Sequence, residues 1–120
     1  MLILALALAA PTPFTEAHQR DIACVVEIAV AADEQRRGVL GGPDVQARGK
    51  RWAGLVGARI VQESGQPREL VAFAMNEEAK SRGGRTVDDV MLVDCNVWMA
   101  AELATFDAAT SPLPKPVKAQ

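Results

Sequence analysis

Two cysteines, Cys24 and Cys95, are the residues of this chain with the most definite chemistry. Thiols that mature in an oxidising compartment normally form a structural disulfide, whereas thiols in the cytosol normally stay reduced. The pair lacks the C-x-x-C spacing and the neighbouring Lys or His that lower the pKa of a redox-active thiol. The cysteines therefore predict a structural disulfide if the chain is exported, and two buried free thiols if it is not.

The first ten residues decide between these two compartments. Residues 1–10 read M-L-I-L-A-L-A-L-A-A, an apolar run typical of an export signal, with a small-x-small cleavage site at residues 7–9. The run lacks a preceding Lys or Arg, and it is far shorter than the roughly 20 residues of a membrane span. The alternative, a buried start of the first helix, conflicts with Pro11 and Pro13. We expect a signal peptide over residues 1–9 and a periplasmic or secreted protein.

The remaining residues with acid–base chemistry do not form a recognisable catalytic or metal-binding motif. His18 is the only histidine, so no multi-histidine metal site can form, and we expect it to be exposed in a first helical turn. Glu27 and Asp94 interrupt apolar segments, as a buried general acid or base would. However, Glu27 shares a helix face with Arg20 and Glu34, which predicts a solvated stripe, and Asp94 is expected at a helix edge. The sequence thus predicts no catalytic residue, no metal and no cofactor.

Two sets of residues in the second quarter of the chain could mediate contacts. The side chains of Arg48, Arg51 and Arg59 make one side of a predicted helix basic, which would suit an acidic partner or an ordinary solvated face. Small residues recur four apart at Gly49, Ala53 and Gly57. They would share one helix face, and we expect this face to pack closely against another helix, within the chain or across a dimer.

The composition indicates one small helical domain. The 120 residues are 49% hydrophobic but only 4% aromatic, with no Tyr, and alanine supplies much of the apolar content. Alanine favours helices, whereas strands are rich in aromatic and β-branched residues. The net charge of −2 argues against a general nucleic-acid partner, because phosphate binding needs a dense positive surface.

The turn and capping residues divide the chain into four predicted helices. Thr15 would cap the first helix, Pro43 would occupy the first position of the second, and Thr86 would cap the fourth. The predicted helices span residues 15–37, 43–62, 67–82 and 86–109, within a domain over 10–109, and a Pro-rich mobile tail spans 110–120. The fourth helix carries an apolar stripe at helical spacing: Met91, Leu92, Cys95, Trp98, Met99, Leu103 and Phe106.

These observations predict an all-α fold, a small four-helix bundle-like domain tied by a disulfide between the first and last helices. The expected function is non-catalytic and exported, through contact with an unknown protein partner or in a homodimer. An alternative is a helical binder of an apolar small molecule, lined by Met75, Met91 and Met99 with Trp52 and Trp98, which are otherwise expected to be core anchors. A third hypothesis is an enzyme that uses a buried carboxylate.

Overall fold

The computed structural model describes residues 14–110, which form four helices and no strand. The helices are α1 (Glu16–Arg36), α2 (Gln46–Ser64), α3 (Arg68–Arg82) and α4 (Asp89–Thr110). The all-α prediction is confirmed. The predicted signal peptide over residues 1–9 and the predicted tail lie outside the described residues, apart from Thr110, which is the last residue of α4. In the described part of the chain, no helix is long and apolar enough to cross a membrane.

Helix α1 is central, because it packs against each of the other three helices. Helix α2 also contacts α3 and α4, whereas α3 and α4 do not pack against each other. The antiparallel course of α1 and α2 is evident at both ends: His18 meets Glu63, and Ile28 lies against Gly49.

A disulfide joins α1 to α4. The sulfur atoms of Cys24 and Cys95 lie 2.02 Å apart and their Cα atoms 5.2 Å apart, as predicted for neighbouring first and last helices. Both cysteines are buried. They belong to a single hydrophobic core built from all four helices and the residue before α2: Ile22, Cys24, Val25, Ile28, Ala31, Val45, Trp52, Val56, Ile60, Val71, Cys95, Met99 and Leu103.

The start of α1 is held by a reciprocal capping box. The hydroxyl of Thr15 accepts the backbone N–H of His18 (3.1 Å), and Nδ1 of His18 accepts the backbone N–H of Thr15 (3.3 Å). Nε2 of the same ring lies 2.8 Å from a carboxylate oxygen of Glu63 on α2. Thr15 is the predicted cap, but the predicted exposure of His18 is wrong, because capping turns the ring towards α2 and leaves it only 5% exposed.

Two other helix starts differ from the prediction. Helix α2 begins at Gln46, because the side chain of Gln35 holds the preceding loop: its amide donates to the Pro43 carbonyl and accepts from the backbone N–H of Val45. Helix α4 is capped by Asp88, whose carboxylate accepts the backbone N–H of Met91 at 3.0 Å. The predicted cap at Thr86 is wrong: the carbonyl of Thr86 accepts a hydrogen bond from Arg82 instead.

The predicted close-packing face of α2 is only partly present. A Cβ atom added at Gly49 would lie 2.6 Å from Cγ2 of Ile28, so α1 and α2 approach closely at this point. Ala53 packs against the core. At Gly57 the nearest atom would be 3.9 Å away, at the methyl end of Met75, which is an ordinary contact. Within the chain, α3 therefore leaves room at Gly57 for a side chain, and close packing of this position across a dimer stays a prediction.

Candidate functional site

An exposed apolar stripe runs along the side of α4 that faces away from the core. Cys95, Met99 and Leu103 are buried on the inner side. On the opposite side of the helix, five small apolar residues recur at alternating spacings of three and four, and together they are called the outer face of α4. The outer face of α4 consists of Val90, Val93, Val97, Ala100 and Ala104, all exposed.

The three valines are the most exposed part of this surface. Val90, Val93 and Val97 are 75%, 61% and 60% exposed to solvent. Single exposed apolar residues are ordinary on protein surfaces, but a contiguous apolar stripe usually marks an interaction site. The arrangement can therefore bury apolar surface against a partner.

This surface was not predicted from the sequence, although the signal was present. The predicted stripe includes Cys95 and would make α4 amphipathic, yet the intervening positions are also apolar. A helix that is apolar on nearly all sides normally lies buried among neighbours. Here only α1 and α2 pack against α4 within the described residues, so one apolar side remains uncovered.

The two tryptophans lie in different surroundings. Trp52 is buried in the core, as predicted, and its indole N–H donates to Glu102 at 2.9 Å. Trp98 is 39% exposed, so its assignment as a core anchor is wrong. The guanidinium of Arg20 stacks over the Trp98 ring at 4.8 Å, and this contact covers one side of the ring without burying it.

Every charged side chain of α4 is acidic: Asp89, Asp94, Glu102 and Asp107. Asp89 and Asp94 are exposed near the three valines, and Asp94 thus lies clear of the core as expected for a helix edge. The two carboxylates in the second half of the helix pair with arginines of α2. This leaves the exposed negative charge of α4 concentrated in its first half.

The predicted basic face of α2 is largely directed at α4. Arg59 binds Glu102 through Nε (2.7 Å) and Nη2 (3.0 Å), and it binds Asp21 through Nη1 (3.0 Å). Arg51 pairs with Asp107, whereas Arg48 is exposed. Two of the three arginines therefore already have carboxylate partners within the chain, and binding of an acidic partner by this face stays a prediction.

These ion pairs shift the ionisation of the groups involved. The hydrogen bonds from Arg59, aided by the Trp52 N–H, hold the pKa of Glu102 below its ordinary value, while partial burial opposes the shift. Likewise, the hydrogen bond from Arg51 lowers the pKa of Asp107. The bond to Glu102 also raises the pKa of Arg59, so the guanidinium stays charged.

The side chain of Glu27, on α1, is fully buried, so its predicted position on a solvated stripe is wrong. One carboxylate oxygen is bound by the guanidinium of Arg82, at the end of α3, and the other accepts the backbone N–H of Asp88 at 2.8 Å. The polar stripe of α1 is covered at this point because three helices surround α1. With both oxygens bound, Glu27 ties α1 to the end of α3 and the start of α4.

The five residues predicted to line an apolar ligand site do not all line one groove. Met75 borders two grooves, one of about 580 Å³ between α2 and α3 and one of about 650 Å³ between α1 and α3. Met91 borders a third groove beside Glu27, and Met99 is fully buried. Trp52 and Trp98 both line a fourth groove, of about 420 Å³. No single groove among these four contains the predicted set.

Acidic, histidine and cysteine side chains offer no ready metal site in residues 14–110. Within that range, no group of three or more is arranged to hold a metal ion. Asp21, Glu63 and Glu102 surround Arg59, whose guanidinium occupies the place between them. This chain matches no protein-family model, no curated protein and no solved structure.

Proposed function

We propose that this chain is a non-catalytic, exported helical protein that acts by binding another protein through the outer face of α4. The observation that carries the proposal is the alignment of Val90, Val93 and Val97, all well over half exposed, on the side of the helix opposite the core. With Ala100 and Ala104, the stripe extends over about 21 Å of helix.

Burial of the outer face of α4 against a partner is energetically favourable. Covering one valine side chain completely contributes about 1.5–3 kcal/mol, so a partner that covers several of these side chains gains a substantial part of a micromolar affinity. Alanines at the end of the stripe allow a partner's backbone to approach closely. A single helix face of this kind matches a common mode of recognition, in which helices pair through residues spaced three and four apart.

Export is supported by two features of independent origin. The Cys24–Cys95 disulfide is the kind of bond that persists in an oxidising compartment. The apolar run over residues 1–10 is typical of an export signal. Both features fit a periplasmic or secreted protein.

The alternative hypotheses have weaker support. The groove between α2 and α3 has the volume of a small-molecule site and is lined by apolar and small side chains, including Ala53, Gly57 and Met75. Of the five residues predicted to line such a site, only Met75 lines this groove. An enzyme that uses a buried carboxylate would need an oxygen of Glu27 available to substrate, whereas both are bound within the chain.

Site-specific photo-crosslinking tests the proposal. A photoreactive amino acid is placed at Val97, and in a matched control at Phe73, which is 59% exposed on α3. The full chain is expressed in its native host, irradiated and analysed by mass spectrometry. We expect a defined protein adduct from position 97 and not from position 73. Equal adducts at both positions, or none at position 97, would contradict the proposal.

A further inference from the structure

We infer that the partner of the outer face of α4 is an amphipathic helix whose apolar stripe is flanked by lysine and arginine. This inference rests on the proposed function and adds the chemistry of the partner. It follows from the spacing of the outer face of α4 and from the sign of the charges beside it.

The spacing favours a helix as the occupant. Val90, Val93 and Val97 continue into Ala100 and Ala104 in the three–four alternation that pairs helices side by side. Valine and alanine are short, so a second helix with larger apolar residues can insert them between these positions. A partner with a single protruding loop would cover only part of this straight stripe.

The charges favour a cationic partner. Asp89 and Asp94 lie on opposite edges of the stripe, because Asp89 directly precedes Val90 whereas Asp94 directly follows Val93. No Lys, Arg or His occurs between residues 86 and 110. Lysines and arginines beside the apolar stripe of a partner helix would therefore meet carboxylates on both edges.

The same charges disfavour two other occupants. If two copies of this chain paired through α4, the Asp89 and Asp94 side chains of both would place four carboxylates at the rim of the interface. Helix α4 supplies no cation to balance them. Two arginines border α4: Arg51, beside its second half, is paired with Asp107, and Arg20, which stacks over Trp98, lies 3.6 Å from Asp21. An anionic membrane surface would be repelled, because helices that bind such surfaces present lysine and arginine.

The test uses the oxidised full chain and two synthetic three-heptad helical peptides. Both peptides carry leucine at the a and d positions; one has lysine and the other glutamate at e and g. Binding is measured by fluorescence anisotropy of the labelled peptide. We expect the lysine peptide to bind at least about tenfold more tightly than the glutamate peptide, with an affinity that falls as salt is added.

Variants locate the binding site. The double substitution Val93→Ser and Val97→Ser should weaken binding of the lysine peptide at least about tenfold, whereas Phe73→Ser on α3 should leave its affinity unchanged. Asp94→Asn should reduce the preference for lysine over glutamate. Its matched control, Glu69→Gln, removes an exposed carboxylate on α3 and should leave this preference unchanged. Circular dichroism confirms that each variant keeps its helices.

Each outcome decides the inference. Equal binding of the two peptides, binding of neither, or binding unaffected by the double substitution would overturn it. A dimer in analytical ultracentrifugation that dissociates in the double variant would overturn it in favour of a second copy. Failure of the peptides together with a retained adduct at position 97 would reject only the partner's chemistry, whereas loss of the adduct would reject the proposed function itself.

Discussion

Ile28 of α1 lies so close to Gly49 of α2 that a Cβ atom added at Gly49 would be 2.6 Å from the Cγ2 methyl group of Ile28. The methyl group is attached to the branched Cβ of a buried side chain, which has one strongly preferred rotamer in a helix. The contact therefore cannot be relieved by a simple rotation. Gly57, two turns further along α2, has no comparable neighbour.

This difference predicts opposite effects of the same substitution at two glycines. Gly49→Ala should lower the free energy of unfolding by about 1–3 kcal/mol, because the overpacking outweighs the better helix propensity of alanine. Gly57→Ala should raise it by up to about 1 kcal/mol, since the added methyl group fits. Urea denaturation of the two variants measures both effects, and a stabilised Gly49→Ala would contradict the contact.

A second prediction concerns the buried carboxylate of Glu27. Glu27→Gln keeps the shape of the side chain but removes the negative charge that balances Arg82. Loss of one partner of a buried ion pair costs about 3–5 kcal/mol, so the variant should be strongly destabilised. Hydrogen exchange should also be faster at the backbone N–H of Asp88, which donates a hydrogen bond to Glu27 in the wild type. Wild-type stability and exchange would show that Glu27 does not hold the start of α4.

A third prediction concerns the disulfide. The bond closes a loop with a sequence separation of 71, for which the chain-entropy relation gives about 4 kcal/mol of stabilisation. Cys24→Ala with Cys95→Ala should lower the free energy of unfolding by a few kcal/mol and leave the helical circular dichroism signal, because the rest of the core remains. A thiol assay on denatured, never-reduced protein from the native host should find no reactive thiol. Two thiols per chain would reject the oxidising compartment.

The lowered pKa of Glu102 predicts acid sensitivity. A carboxyl whose pKa is lower in the folded state stabilises the fold above its unfolded pKa, and this contribution is lost as the pH falls through its folded pKa. The ordinary value is 4.5, so stability should decline as the pH falls below about 5. Arg59→Gln should reduce this decline, whereas Arg48→Gln should leave it unchanged. Urea midpoints between pH 2 and 7 for the three proteins provide the comparison, and equal slopes would exclude the Arg59–Glu102 pair as a cause.

A fifth prediction concerns the beginning of the mature protein. If residues 1–9 are a signal peptide, protein recovered from the native host should begin near Ala10. N-terminal sequencing or intact-mass measurement gives the answer. Protein from the cytosol that retains Met1 would remove the support for export, and the thiol assay would then be expected to find both cysteines reduced.

The fold was predictable because its signals are local. Thr15 and Gly65 mark helix ends through capping and a left-handed backbone conformation, and the apolar spacing around Cys95 identifies the inner side of α4. Two cysteines allow only one pairing, and the expected export predicted that Cys24 and Cys95 form it. Such features depend on a few consecutive residues and are visible without the tertiary structure.

The candidate site was less predictable because it depends on which helices are neighbours. Glu27 belongs to a polar stripe in the sequence, but three surrounding helices bury it against Arg82 and Asp88. His18 resembles an exposed first-turn residue until α2 supplies Glu63. From the sequence, Val93 and Val97 could equally face a third neighbouring helix, and only the absence of contact between α3 and α4 in the described residues leaves them open.

The attachments of α4 also bear on how it would meet another molecule. The helix is tied at its start by Glu27, in its first half by the Cys24–Cys95 bond and near its end by Arg51. Its backbone is thus already ordered before any encounter, and the valines carry few rotatable bonds. Association would lose little conformational entropy on this side, so preorganisation would turn more of the buried apolar area into affinity.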